Sequence, residues 1–152
     1  MKRSLLLATA IALTVSGRAS ADQSVTDARD LFARFVAAQN AHAVDDVKSM
    51  LWASPETLFF SRGVDIRGAD AVAERFKSYY QGTWRLNPDM SKFHATMLST
   101  DVVQILVPIV FTRGLPGHEP QSDTFLICQT LKKTQDGWRI ASILPIANNT
   151  LK

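Results

Sequence analysis

Apolar residues recur with two different periods, which divide the chain into a helical first part and an extended second part. Between residues 26 and 39 they recur at intervals of three and four, the spacing of one face of a helix capped by Thr26 or Asp27. A second, short helix is predicted within residues 45–55, and a third over residues 69–81. The first part of the chain is therefore predicted to contribute three helices.

The second part of the chain has the composition of β-strands. Residues 63–68 are predicted to form a turn-rich link, and Asp136-Gly137 is typical of a hairpin turn. Segments rich in β-branched and aromatic residues predict strands over residues 58–61, 84–86, 93–98, 102–112, 124–133 and 138–146. Helices followed by antiparallel strands predict an α+β domain with the helices packed on one face of the sheet.

The strand predicted over residues 102–112 is apolar on both of its faces. One face carries Val103, Ile105, Val107, Ile109 and Phe111, and the other carries Val102, Leu106, Pro108 and Val110. An antiparallel strand with one solvated face alternates apolar and polar residues instead. We therefore expect the helices to cover one face and a second copy of the chain to cover the other, in a homodimer packed through its sheet faces. Pro108 is expected at a bulge or an unpaired edge position.

The first 21 residues have the pattern of a secretory signal peptide. Lys2 and Arg3 precede an apolar run over residues 5–15, and small residues end at Ala21, where cleavage is predicted. The run is much shorter than the about 20 apolar residues that cross a bilayer. We expect export to the periplasm or the exterior, no stable membrane anchor, and one domain over residues 22–152.

The charge of the chain argues against nucleic acid as a partner once the signal is set aside. The 152 residues include 17 Lys+Arg and 14 Asp+Glu. Lys2, Arg3 and Arg18 lie in the signal, so 14 of the 17 basic residues remain against 14 acidic ones. Without net positive charge, nucleic acids and anionic membrane surfaces are poor partners.

Cysteine and histidine positions give little support for a disulfide, a metal or another cofactor. Cys128 is the single cysteine and lies in an apolar segment, where a buried thiol is expected. His42, His94 and His118 are far apart in sequence and show no spacing typical of a metal site. No metal or cofactor is predicted.

Two segments resemble one superfamily. Residues 59–68 (FFSRGVDIRG) lead into the third predicted helix, and residues 136–140 (DGWRI) open the last strand. With the order of helices and strands, they resemble the nuclear transport factor 2-like superfamily, which includes SnoaL-like polyketide cyclases and ketosteroid isomerase, over residues 25–146. The resemblance implies a cone-shaped α+β fold, in which three N-terminal helices pack on a curved antiparallel β-sheet around a mostly apolar pocket. Enzymes, binding proteins and association modules share this fold, so it does not settle function.

The residues that would make the pocket catalytic are largely missing. In isomerases of this fold, the resemblance implies a carboxylate base at the end of the first strand, but the matching positions are Phe60 and Ser61. Asp65, a few residues further on, and His94, within a strand, are the remaining acid/base candidates. If the chain is an enzyme, a cofactor-independent isomerase or dehydratase is expected.

Three functions remain open from the sequence. The first is an exported protein that binds a small, mostly apolar molecule without a complete catalytic constellation. The second is an isomerase, dehydratase or cyclase of the SnoaL type, with Tyr79 or Tyr80 as donor. The third is an association module with a filled pocket. The residues expected to line a ligand pocket are Phe35, Trp52, Phe60, Tyr79, Tyr80, Trp84, His94, Gln104 and Ser142. Aromatic residues at helical spacing are most often plain core, which is the alternative interpretation of the aromatic ones among them.

Overall fold

The computed structural model describes residues 12–147 and the side chains of residues 19–147. The helices are α1 (Ala12–Asn40), α2 (Val44–Met50) and α3 (Ala69–Tyr79). The strands are β1 (Leu58–Ser61), β2 (Val64–Arg67), β3 (Thr83–Pro88), β4 (His94–Ser99), β5 (Val102–Gly114), β6 (Gln121–Thr134) and β7 (Gly137–Ala147), with a 3-10 turn over Met90–Lys92. The helices pack on a curved, unclosed sheet, which confirms the predicted α+β cone fold.

The sheet is mixed, whereas the sequence predicted an antiparallel one. Its strands follow the order β2-β1-β7-β6-β5-β3, and β4 also pairs with β5. β1 runs parallel to β7, with Leu58 opposite Ser142 and Phe59 opposite Ile143. These two strands are separated by most of the domain rather than by a hairpin, so no tight turn forces them to be antiparallel.

Residues 63–68 are not the turn-rich link that the sequence predicted. They contain β2, which pairs with β1 so that Phe59 faces Ile66. Arg62 and Gly63 both have positive φ, 53° and 78°, as in the two-residue turns that suit the twist of a hairpin. Because Arg rarely takes this conformation, Arg62-Gly63 is not a typical hairpin signal in a sequence.

The first helix begins well before the predicted cap. The Thr26 hydroxyl donates to the Asp22 carbonyl at 3.0 Å, one helical turn back, so Thr26 lies inside α1 and the predicted cap at Thr26 or Asp27 is wrong. In the described range, α1 starts at Ala12 and continues past Ala21. Residues 1–11 of the predicted signal peptide lie outside the described residues. No helix within residues 12–147 is long and apolar enough to cross a membrane.

The core lies between the helices and the concave face of the sheet. Phe32 and Phe35 of α1, together with Phe76 of α3, are almost fully buried. They meet the odd-numbered residues of β5, where Val103, Ile105 and Val107 have no exposed surface. The even-numbered residues of β5 lie on the opposite, outer face and are only partly covered.

Pro108 occupies a gap in strand pairing, as its missing N–H requires. β4 pairs with β5 up to Leu106, and β3 pairs with it from Ile109 onward. The Pro108 carbonyl accepts a hydrogen bond from the Asp89 N–H at 2.8 Å. The backbone nitrogen and carbonyl oxygen of one residue in an antiparallel strand point to the same side. The Pro108 nitrogen therefore faces the gap between β4 and β3, where its missing N–H costs no hydrogen bond between strands.

Candidate functional site

A cavity of about 720 Å³ opens between the helices and the concave face of the sheet. Its walls come from α1, α3, the strands β1, β3, β5, β6 and β7, and the loop between β5 and β6. Aromatic rings form much of the inner wall: Phe32, Phe35, Phe59, Phe76, Tyr79, Trp84, Phe111 and Phe125. A space of this size accommodates a small organic molecule.

Polarity changes sharply from the floor of the cavity to its mouth. Among the described residues, no buried lining side chain is ionisable, and Gln39 and Gln129 are the buried polar ones. The charged side chains and the histidine of the lining sit around the opening: Arg62, Arg113, His118, Glu119 and Asp123. The interior is therefore suited to apolar groups, while charged parts of a molecule would remain at the mouth.

One wall is fixed by a stack of two rings. The rings of Tyr79 and Trp84 lie 4.7 Å apart at an interplanar angle of 10°. The Trp84 indole N–H donates to Gln39 Oε1 at 3.0 Å, which ties β3 to α1. Asn40 extends this tie, because its Oδ1 accepts from the Leu86 N–H at 2.7 Å and its Nδ2 donates to the Leu86 carbonyl at 2.9 Å. These contacts hold the wall in place without a ligand.

The mouth carries an ion pair set against an aromatic ring. Arg113 pairs with Asp123, and its guanidinium lies 5.1 Å from the centre of the Phe125 ring. Burial lowers the pKa of Arg113, and the positive charge of Arg62 acts in the same direction. Arg113 nevertheless stays protonated at neutral pH.

Only part of the predicted lining meets in the cavity. Phe35, Tyr79 and Trp84 line it. Trp52 lies instead on a shallow groove beside α2, with the Lys132 ammonium 5.3 Å from its ring centre. Tyr80 does not line the cavity, and its ring stacks on that of His42 at a centroid distance of 4.8 Å. Neighbouring positions on a helix point about 100° apart, so Tyr80 points away from the wall to which Tyr79 contributes.

Three residues that the sequence predicts in the cavity lining lie on the outer face of the sheet. Phe60, Gln104 and Ser142 do not line the cavity. Their neighbours Phe59 and Ile143 point inward. Because successive side chains of a strand alternate between faces, an inward Phe59 puts Phe60 outside, where it is 43% exposed.

Neither acid/base candidate reaches the cavity. Asp65 lies in β2, is exposed, and pairs with Arg67 at 3.2 Å. His94 is exposed on the outer face, where its Nε2 is 3.3 Å from the Thr96 hydroxyl. A general base must lie within hydrogen-bond reach of the proton that it removes, so these positions do not support the proposed acid/base roles.

The sequence missed the two glutamines of the floor. Gln39 occurs at an apolar position of the α1 periodicity, and Gln129 lies in phase with the buried Ile127 and Leu131 of β6. A polar residue in phase with a buried face was the available signal. In residues 12–147, no group of three His, Cys, Asp or Glu side chains could hold a metal ion.

Solved structures with the same architecture span nearly the whole domain. One is a nuclear transport factor 2-like superfamily protein from Salmonella enterica serovar Typhimurium, with 17% identity, coverage of 87% of this chain and 96% of that one, and a TM-score of 0.78. A second is a provisionally named aromatic ring hydroxylase from Novosphingobium aromaticivorans, with 13% identity, coverage of 86% and 92%, and a TM-score of 0.73.

A third similar structure is a provisionally named dehydratase of the nuclear transport factor 2-like family from Streptomyces avermitilis. It has 14% identity, coverage of 83% of this chain and 97% of that one, and a TM-score of 0.70. No family model matches the sequence, and no curated protein matches it either. The chain therefore has the nuclear transport factor 2-like fold, and at these identities the likeness concerns the fold alone.

Proposed function

We propose that this protein binds a small, mostly apolar molecule in the cavity between its helices and its sheet. One observation carries the proposal: the cavity of about 720 Å³ has an aromatic wall whose buried, described residues include no ionisable side chain. Such a wall gains free energy from apolar surface that leaves water. An open cavity of this size also favours binding over an association module with a filled interior.

The same observation argues against a SnoaL-type isomerase or dehydratase. Those reactions need an acid/base group at the reacting atom, held away from water. Asp65 and His94 lie outside the cavity, and the carboxylates that line it, Glu119 and Asp123, are exposed at the mouth. A molecule seated on the aromatic wall would therefore meet the hydroxyl of the half-buried Tyr79, which can donate a hydrogen bond, but no buried carboxylate or histidine that could act as a base.

Ligand retention by a cavity variant tests the proposal. The protein, purified without denaturant, is extracted and the extract analysed by mass spectrometry, and we expect a discrete apolar compound. Trp84→Ala removes one ring of the wall and should reduce the retained compound severalfold. Trp52→Ala is the matched control, because it removes an indole outside the cavity, and retention should be unchanged.

Two results would count against binding. The first is an extract without any compound, together with no uptake of an added environment-sensitive hydrophobic dye. The second is equal loss of the compound in both tryptophan variants, which would indicate general loosening of the fold rather than a site. Circular dichroism of each variant checks that it is folded.

The outer face of the sheet supports a homodimer. Leu106, Cys128 and Leu144 are aligned across β5, β6 and β7, and Pro108, Leu126 and Ile146 form the next row. The Ile146 side chain is 49% exposed in the single chain. A contiguous apolar patch on a soluble protein marks an interaction surface, and the two-faced pattern of β5 is explained if a second copy covers it.

Light scattering tests this arrangement. We expect a dimer at tens of micromolar protein, and a monomer when Leu126→Asp places a charge in the patch. Ala33→Asp, on the solvent side of α1, should leave the dimer intact. A wild-type monomer at that concentration would refute the dimer but not the ligand site, since the cavity lies on the other face.

Export is the remaining part of the proposal and rests on the signal pattern of residues 1–21. The intact mass of protein purified from its native host should correspond to a chain that starts at Asp22. A mass that includes residues 1–21, in protein recovered from the cytoplasm, would refute export.

A further inference from the structure

The inward-facing row of β5 changes from apolar to charged where the strand reaches the mouth of the cavity. Its lining residues are, in order, Ile109, Phe111 and Arg113. Arg113 is also opposite Trp84 of β3, so it stands at the upper end of the aromatic wall. Positions two apart in a strand are separated by about 7 Å. A molecule that fills the apolar part of the cavity would therefore bring one of its ends close to Arg113.

Arg113 keeps hydrogen-bond donors that the protein does not use. Its side chain is 24% exposed, and its Nη2 donates to Asp123. Nε and Nη1 make no hydrogen bond within the described residues, and neither is among the buried, unpaired atoms of that range. The ion pair with Asp123 and the contact with the Phe125 ring hold the guanidinium in position. Most of its five N–H groups thus remain available to a molecule at the mouth.

The Tyr79 hydroxyl is another unused donor in the same region. Tyr79 lines the cavity and stacks on Trp84, the residue opposite Arg113. Its oxygen has no hydrogen-bond partner within residues 19–147 and, unlike that of Tyr80, it is not buried. A ligand in the cavity can therefore reach it.

A second cation, Arg62, stands at the same opening. Arg62 is exposed and has no ion-pair partner among the described residues. Its φ of 53° in the turn between β1 and β2 is unfavourable for a residue with a Cβ, and Asn would form the same turn more easily. The turn itself does not explain an arginine. Burial lowers the pKa of Arg113 and repulsion from Arg62 lowers it further, so the two guanidinium groups lie within electrostatic range of each other.

The carboxylates at the mouth do not offset both of these cations. Asp123 pairs with Arg113. Glu119 is exposed on the loop between β5 and β6, and it is not among the groups that act most on the pKa of Arg113. Two guanidinium groups with one paired carboxylate leave a net positive charge beside the Tyr79 hydroxyl. This arrangement suits a single negative charge at the end of an apolar body.

We propose that Arg62, Arg113 and the Tyr79 hydroxyl bind the carboxylate of an apolar carboxylic acid whose ring or chain fills the aromatic cavity. This inference rests on the proposed ligand-binding function and adds the charge and the position of the head group. A carboxylate accepts through two oxygens, so it can take a forked pair of hydrogen bonds from Arg113 and a further one from Tyr79. The exposed Arg62 contributes mainly its charge.

Three probes that share the same two rings test the inference on the wild-type protein. Biphenyl-4-carboxylate, biphenyl-4-carboxamide and biphenyl-4-ylmethylamine carry a negative, a neutral and a positive head group at neutral pH. Calorimetric titration of the ligand-free protein at low salt should give a Kd about tenfold lower for the carboxylate than for the amide. The amine should bind no more tightly than the amide. High salt should narrow the preference, because screening weakens partly exposed charge pairs.

Two arginine variants locate the carboxylate. Arg62→Asn removes the outer cation and suits the positive φ, so it should fold with an equal or higher melting temperature. Arg113→Met keeps an unbranched stem on the Phe125 ring but removes the donors. Each should reduce the preference for the carboxylate to about threefold, and in the double variant the carboxylate and the amide should have Kd values within about twofold.

Two more variants complete the set. Tyr79→Phe keeps the stack on Trp84 and should weaken binding of the carboxylate about threefold. Arg85→Met is the matched control for charge, because Arg85 is exposed in β3 and does not line the cavity. It should retain the tenfold preference. The Kd of the amide should change little in the arginine variants, since the aromatic wall is intact.

The outcomes distinguish this inference from the proposed function. If the carboxylate and the amide bind the wild-type protein equally, the inference fails while apolar binding stands. If the preference survives in the double arginine variant, the carboxylate contacts other groups and the inference fails. If the amine binds most tightly, the acidic side of the mouth selects the ligand and the inference also fails. If no probe binds, and the hydrophobic dye does not bind either, the proposed function fails together with it.

Discussion

The hydrogen bond between Trp84 and Gln39 makes the clearest quantitative prediction about the cavity wall. Trp84→Phe keeps an aromatic ring but removes the indole N–H, which leaves the Oε1 of the buried Gln39 without a donor. An unsatisfied buried acceptor costs about 1–3 kcal/mol. The smaller ring adds about 1 kcal/mol for the space that it leaves. We therefore expect the free energy of unfolding to fall by about 2–4 kcal/mol.

The partner substitution completes the test. Gln39→Leu leaves the Trp84 N–H unpaired and should cost about 1–3 kcal/mol. The double variant leaves neither group unpaired, so its loss should be smaller than the two single losses together by about 1–2 kcal/mol. Urea unfolding followed by far-UV circular dichroism measures all four proteins without depending on tryptophan fluorescence. Losses that simply add would show that the hydrogen bond does not hold the wall, and would refute the orientation assigned to the Gln39 amide.

Two further predictions concern packing at the mouth and the buried thiol. A Cβ on Gly82 would overlap the carbonyl oxygen of Gly114, so Gly82→Ala should cost about 2–3 kcal/mol, whereas Gly117→Ala meets open space and should cost only about 1 kcal/mol for its positive φ. Thermal melts compare the two, and equal losses would contradict the close approach. Burial raises the pKa of Cys128, so at pH 8 the folded protein should react with iodoacetamide at least tenfold more slowly than the urea-unfolded chain. Because the thiol of the unfolded chain ionises at a lower pH than the buried thiol, the free energy of unfolding should fall above about pH 9 but not below it. A free energy of unfolding that does not change with pH above about pH 9 would contradict the raised pKa of Cys128.

The sequence determined the fold because its apolar periods are long and consistent. The three-and-four spacing from Ala28 to Phe35 and the alternation along β5 each repeat often enough to specify an element and its buried side. The predictions from sequence are wrong where the conformation of a single residue determines the local structure. The hairpin of β1 and β2 depends on positive φ at Arg62, and the start of α1 depends on whether Thr26 caps the helix or lies inside it.

The site itself was decided by tertiary structure. A strand pattern that is apolar on both faces does not say which face the helices will cover, so Phe60, Gln104 and Ser142 could not be separated from Phe59, Gln129 and Ile143 by sequence alone. The register of β1 against β7 and the packing of α1 on β5 determine which face is inward. Shifting the pairing register of a strand by one residue would exchange every inward side chain for an outward one. The sequence thus determined that the helices close over a curved sheet, and only the assembled sheet decided that the enclosed wall is aromatic and that two buried glutamines lie on its floor.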